Sequence, residues 1–115
     1  MNRALIVKKK WLDKILSGEK RWEIRGSNTN IRGVIGLIES GSGVIMGECE
    51  LYDSDYVWDL WSRLSVEQHM VINKSDINYK NPHVWKLKNA KRYNKPTPYT
   101  HPQGAVVWVK IKDNK

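Results

Sequence analysis

The sequence has no phenylalanine, a single cysteine and only four prolines in 115 residues. Cys49 alone can form neither an intramolecular disulfide nor a cysteine-based zinc site, which fits a reducing, intracellular setting. No apolar run approaches the roughly 20 residues of a membrane span. The start, Met1-Asn2-Arg3-Ala4-Leu5-Ile6-Val7, leads into lysines and not into a signal-peptide cleavage pattern. The expected address is therefore the cytoplasm, with no membrane partner. His69, His83 and His101 lack metal-ligand spacing, so neither a metal nor a cofactor is expected. Gly41-Ser42-Gly43 lacks the Gly-Lys-Ser/Thr ending of a nucleotide-triphosphate loop and enters a strand, not a helix.

In the absence of phenylalanine, six tryptophans and five tyrosines carry the aromatic load. Both keep a polar tip, so they serve core packing and also offer faces on which bases stack. A 40% apolar share argues for a folded chain, and its length suits one domain over residues 1–115.

Acidic residues are scarce in one region in particular. The net charge is +8, and residues 1–58 hold nine Lys/Arg against eight Asp/Glu, whereas residues 59–115 hold eleven against four. Between Lys80 and Lys95 there is no acid, while Lys86, Lys88, Lys91 and Arg92 alternate with His83, Trp85 and Tyr93. Such interleaving predicts a phosphate-binding surface, with a solvated lysine-rich face as the plainer alternative.

Along the chain, Ala4 to Val7 reads as a buried first strand. Trp11, Leu12, Ile15 and Leu16 make one apolar helical stripe, which Gly18 stops. Arg21 to Arg25 alternates, placing Trp22 and Ile24 on one face and Arg21, Glu23 and Arg25 on the other. Gly26 to Asn30 is turn chemistry. Val34 to Ser40 and Val44 to Tyr52 form a hairpin about Gly41-Ser42-Gly43, with Gly36 marking a bend or close approach. From Asp53 to Asn81 the pattern is irregular, with Trp58, Leu60, Trp61 and Leu64 on one short helix and Ser65 capping another that has Glu67 near its start. His83 to Lys88 and Ala105 to Ile111 are further strands, separated by stiff loops at Lys95-Pro96-Thr97-Pro98 and His101-Pro102-Gln103-Gly104. The fold class is α+β: a small barrel of five to six strands, one helix after the first strand, and one or two short helices in the middle.

The stretch Gly18-x-Lys20-x-x-Glu23-x-Arg25 concentrates charge beside Trp22 and is the candidate site. A desolvated lysine loses its proton more readily and a glutamate can activate water, so Lys20 and Glu23 are the catalytic candidates. An ion pair ordering a pocket wall is the competing use. An ideal strand would put Lys20 and Glu23 on opposite faces, so joint action requires a bend near Lys20. The guanidinium groups of Arg21 and Arg25 suit phosphate or carboxylate, or a cross-strand pair.

Trp11 with its apolar helix, the Gly18-x-Lys20-x-x-Glu23-x-Arg25 run, Arg32-Gly33 before an apolar strand, Ser40-Gly41-Ser42-Gly43 with Gly47, His83-Val84-Trp85-Lys86-Leu87, and His101-Pro102-Gln103-Gly104-Ala105 together resemble the ASCH domain over nearly the whole chain. The resemblance implies a PUA-like β-barrel with a cleft between the sheet and the first helix, in a superfamily associated with RNA and modified bases. It adds Ser40, Tyr99 and His101 to Trp22 and Arg25 as ligand-binding candidates. Members that hydrolyse N(4)-acetylcytidine use the lysine of Gly-x-Lys, a threonine three residues later and a glutamate farther along. Lys20 matches that lysine, but Glu23 stands where the threonine nucleophile would, and a carboxylate cannot supply the same hydroxyl chemistry.

The expected function is thus an RNA or modified-nucleoside binding module. Lys20, Glu23 and Arg25 would read the ligand, and Arg21, Lys86, Lys88, Lys91 and Arg92 would hold phosphates. The alternatives are a small hydrolase of an acylated nucleoside or of RNA, and an adaptor that binds protein through Trp58 and Trp61.

Overall fold

A computed structural model describes residues 1–61 and 74–111. Its elements are β1 (Arg3–Val7), α1 (Lys9–Leu16), β2 (Trp22–Arg25), β3 (Gly33–Glu39), β4 (Val44–Tyr56), α2 (Val57–Leu60), β5 (His83–Pro98) and β6 (Trp108–Lys110), with a 3₁₀ turn at Lys74–Asp76. The strands form one sheet in the order β2-β5-β4-β3-β1-β6. β1 and β3 are parallel, and the other pairs are antiparallel.

The parallel pair needs a crossover, which α1 begins. Leu12, Ile15 and Leu16 bury α1 against Leu5, Val7, Leu37, Cys49 and Leu51 of the sheet. Gly47 permits this approach, because a Cβ there would lie 2.7 Å from a Leu16 methyl and would also clash with the Lys91 carbonyl oxygen. Gly36 is the close approach expected of it, with Ala4 Cβ 3.0 Å from where its own Cβ would stand. Gly18 (φ +85°) follows the helix, and Gly41 (φ +80°) and Gly43 (φ +74°) turn the β3–β4 hairpin, as the sequence predicts. On β4 the burial alternates strictly, with Ile45, Gly47, Cys49 and Leu51 inside. Burial and the neighbouring Glu48 carboxylate push the Cys49 thiol up to about 12, which makes it a poor nucleophile.

Four expectations change. The sheet curls strongly but does not close: β2 and β6 are its edges, and side chains, not a backbone ladder, bridge the gap. Arg25 on β2 donates to the Ile6 carbonyl oxygen of β1 at 2.9 Å, and Trp85 of β5 stacks on Trp108 of β6 with ring centroids 5.7 Å apart. Second, Lys95 to Pro98 is not a loop but the end of β5, pairing Thr97 with Ile45 and Pro98 with Val44. This stretch lies beyond the part of β5 covered by β2, so the prolines' missing N–H groups interrupt no second ladder. Third, β4 continues past Tyr52 to Tyr56, with an irregular register between Leu51 and Asp53. Fourth, β6 is only three residues long, extended by a bond from Ile6 N–H to the Val107 carbonyl. The short helix about Trp58 is present as α2, whereas Leu64 and the helix assigned to Ser65 and Glu67 lie outside the described residues. Among the described residues, no helix is long and apolar enough to cross a membrane.

Candidate functional site: a buried charge cluster in the cleft beside the first helix

β2 is buried on both faces, so the side of the strand that carries its charges points into the protein. Ile24 packs with Val57 and Val84 on one side, flanked by Trp22, Trp61 and Ile77. Glu23, only 5% exposed, faces the other way, opposite Trp85. The bend that brings Lys20 to it follows α1: after Gly18, the Lys20 N–H caps the helix by donating to the Lys14 carbonyl at 2.9 Å.

Lys20, 2% exposed, donates to the Trp22 carbonyl oxygen at 2.9 Å and stands 3.5 Å from Glu23 Oε1. Arg25 grips the other carboxylate oxygen, with Nε at 3.2 Å and Nη2 at 3.0 Å from Glu23 Oε2. The same Nη2 reaches the Ile6 carbonyl. One carboxylate is thus held between two cations, and among the described residues every buried polar side-chain atom has a partner. Burial lowers the Lys20 pKa below its usual 10.5; Glu23 works against that shift and the nearby Arg25 charge adds to it. The Lys20 ammonium also lies 4.8 Å from the Trp11 ring centroid.

This cluster borders a cleft. A cavity of about 210 Å³ is lined by Lys8, Trp11, Glu23, Arg25, Ser40 and Tyr79, among others. A second, of about 130 Å³, shares Trp11, Glu23 and Tyr79 with it and adds Lys20 and Asp76. A third, of about 320 Å³, shares Ser40 and continues to Tyr99 and His101. There the Tyr99 hydroxyl is 2.8 Å from His101 Nδ1, and His101 Nε2 is 2.8 Å from the Ala105 carbonyl oxygen. A carbonyl only accepts, so Nε2 carries the proton, and in the neutral ring Tyr99 donates to Nδ1.

The cleft therefore brings together Lys20, Glu23, Arg25 and Ser40, with Tyr99 and His101 in its extension. Trp22 does not line these cavities; Lys86 lies 5.3 Å from its ring centroid. Arg21 is exposed and borders a separate groove of about 170 Å³ with Ile15, Lys88 and Asn89. The lysines of β5 face carboxylates of β4 across the ladder. Lys86 is 3.2 Å from Asp53 and 2.8 Å from Asp55, and Lys88 is 3.7 Å from Glu50. Arg92 is 3.0 Å from Asp13 of α1. Lys91 is exposed, with no ion pair among the described residues. Sequence reasoning missed Lys8, Asp76 and Tyr79; the latter two lie in an irregular segment with no period to read. Trp58 is 37% exposed and its ring centroid is 5.6 Å from that of Trp61, which packs beside Ile24. Among the described residues, no group of His, Cys, Asp and Glu side chains could hold a metal ion.

The family model for the ASCH domain matches residues 5–97. The chain belongs to the ASCH domain family. Solved structures of an ASCH protein from Zymomonas mobilis share its fold: the protein itself matches with a TM-score of 0.69 at 14% identity, covering 96% of this chain and 87% of that one. Two single-residue mutants of the same protein each match with a TM-score of 0.71 at 15% identity, covering 96% of this chain and 87% or 89% of theirs. No curated protein matches the sequence. The ASCH domain here thus has the PUA-like fold that the resemblance implied, with the curled sheet open at its edges.

Proposed function

We propose that this ASCH domain is a cytoplasmic, single-domain reader of RNA or of a modified nucleoside. The observation that carries the reading is the buried Lys20–Glu23–Arg25 cluster on the wall of an aromatic-lined cleft. Two cations around one carboxylate leave an excess of positive charge where water is largely excluded, and there a ligand's oxygen atoms gain more than they would at the surface. Glu23 and the Ser40 hydroxyl supply acceptors for a base edge or ribose, and Tyr99 and His101 close the extension of the cleft. Outside it, Arg21 and Lys91 keep their charge free for RNA phosphates, whereas Lys86, Lys88 and Arg92 must exchange a carboxylate for a phosphate. The test is a panel of modified nucleosides and short RNAs, scored for binding by calorimetry and for product by mass spectrometry. The reading expects saturable binding in the cleft, with an added salt-dependent contribution from the backbone phosphates for the RNAs, and no new product. Binding of none of the panel refutes it.

The burial of Lys20 beside Glu23, which lowers the lysine's pKa, favours a second reading, hydrolysis of an acylated nucleoside or of RNA, in which the Lys20 amine relays a proton and Glu23 positions water. Arg25 works against it, since its two guanidinium contacts already occupy Glu23 Oε2, which leaves that oxygen less able to hold a water. Turnover by the wild type that disappears in Glu23→Gln, with binding retained, would replace the first reading by this one.

A further inference from the structure

The cleft has a direction. At one end stand Lys8 and Ser40, with Arg25 beside them; at the other stands Asp76, next to Glu23 and Lys20. Lys8 and Asp76 are both exposed, and neither forms an ion pair among the described residues, so their opposite charges act on whatever enters. Tyr79 lines both ends. Its ring lies along Gly26, where an added Cβ would stand 2.8, 3.3 and 3.4 Å from consecutive ring carbons, yet the residue is 46% exposed. One side of the ring is thus fixed against backbone, and its hydroxyl has no hydrogen bond among the described residues.

The other rings at the cluster are already occupied. Lys10 and Lys20 lie 4.6 and 4.8 Å from the Trp11 centroid. Trp85 is stacked on Trp108 and has the Arg25 guanidinium 5.8 Å from its centroid. Tyr79 has no ring or cation partner among the described residues, so its exposed side is open for a base to stack on. The cavities of about 210 and 130 Å³ are each smaller than the roughly 300–1,000 Å³ of small-molecule pockets and only together reach the lower end of that range, which suits one nucleotide and not a run of several.

Resting on the reading of the cleft as a nucleic-acid site, we infer that its ligand is a phosphorylated nucleotide, free or at the end of an RNA, with its base on Tyr79 toward Asp76 and its phosphate at Lys8 and Ser40. Asp76 repels a phosphate, which fixes the orientation. Lys8 is then the residue that distinguishes a nucleotide from a nucleoside, and Tyr79 the residue that distinguishes either from inorganic phosphate.

Calorimetric titration at low salt tests this with a nucleoside, its 5′-monophosphate and inorganic phosphate. The monophosphate should bind the wild type on the order of tenfold more tightly than the nucleoside, and Lys8→Met should erase that advantage without changing the nucleoside's affinity. Tyr79→Ala should weaken nucleoside and monophosphate alike by on the order of tenfold, and Tyr79→Trp should restore both. A short RNA with and without a terminal 5′-phosphate distinguishes an RNA end from a free nucleotide; for whichever binds, the phosphate dependence must vanish in Lys8→Met. If the wild type binds but Lys8→Met and Tyr79→Ala bind as it does, this inference fails while the proposed function stands. If the wild type binds neither nucleosides nor nucleotides nor RNA, the proposed function itself fails.

Discussion

Lys20 and Lys86 are both paired with carboxylates, yet their pKa values move in opposite directions. Lys86, on the β4–β5 ladder, keeps 17% of its side chain exposed and is paired with two carboxylates, Asp53 and Asp55. Burial opposes its charge, but hydrogen bonds to Asp55 and Asp53 outweigh burial and raise its pKa. Lys20 is almost wholly buried and shares its single carboxylate with Arg25, so desolvation wins and its pKa falls. The comparison teaches that the density of lysines along the sequence does not measure available positive charge. Residues 80–95 are free of acid in sequence but are met by acids from β4 and α1 in space. The cleft, with fewer cations, keeps an excess of them where water cannot screen it.

The largest effect should come from Glu23→Gln, which leaves two cations in the cleft facing a neutral amide. Breaking a buried pair on one side costs on the order of 3 kcal/mol, read as a lower urea midpoint at unchanged slope. An unchanged midpoint would mean that the cluster is hydrated and that the contrast with the surface is false. Next comes the pH dependence. Because the pKa of Lys20 is lowered from 10.5, the unfolded chain holds a proton that the folded chain has released between that lowered value and 10.5. Stability from this site should therefore increase with pH through that window and be lost again as pH falls through the folded pKa. Lys86 has the opposite sign: its contribution is present below 10.5 and is lost as pH rises through its raised pKa. Unfolding curves of Lys20→Met and Lys86→Met against pH should separate the two slopes. At neutral pH, Lys86→Met should cost no more than about 1 kcal/mol, with the loss shrinking in salt, because its carboxylate partners are nearly half exposed. The smallest effect belongs to RNA phosphate contacts, where Arg21→Gln or Lys91→Gln should reduce the salt slope of RNA binding by about one, and Lys88→Gln by less.

Much of this architecture was legible in the sequence because local rules and packing agree there. The helical stripe from Trp11 to Leu16, the alternation from Ile45 to Leu51, and the glycines at 18, 36, 41 and 43 all act as read. The alternation of β2 was legible too, but not which face turns inward, because both faces are buried and the strand's parity is the same either way. The continuation of β5 through Pro96 depended on its having only one neighbouring strand there, which is a fact of topology. The barrel reading captured the curl and missed the open seam, since a short β6 and a four-residue β2 leave too little backbone to close it. At the site, Lys20, Glu23 and Arg25 stood out by their spacing, whereas Tyr79 is defined only by its contact with Gly26.

Chemical-shift mapping of the folded domain with a short RNA tests the central claim most directly, since it asks which of the two charged regions receives the ligand. The largest shifts should fall at residues 20–25, Ser40 and Tyr79, at low and at moderate salt alike. Shifts confined to residues 86–92 that vanish as salt rises would contradict it.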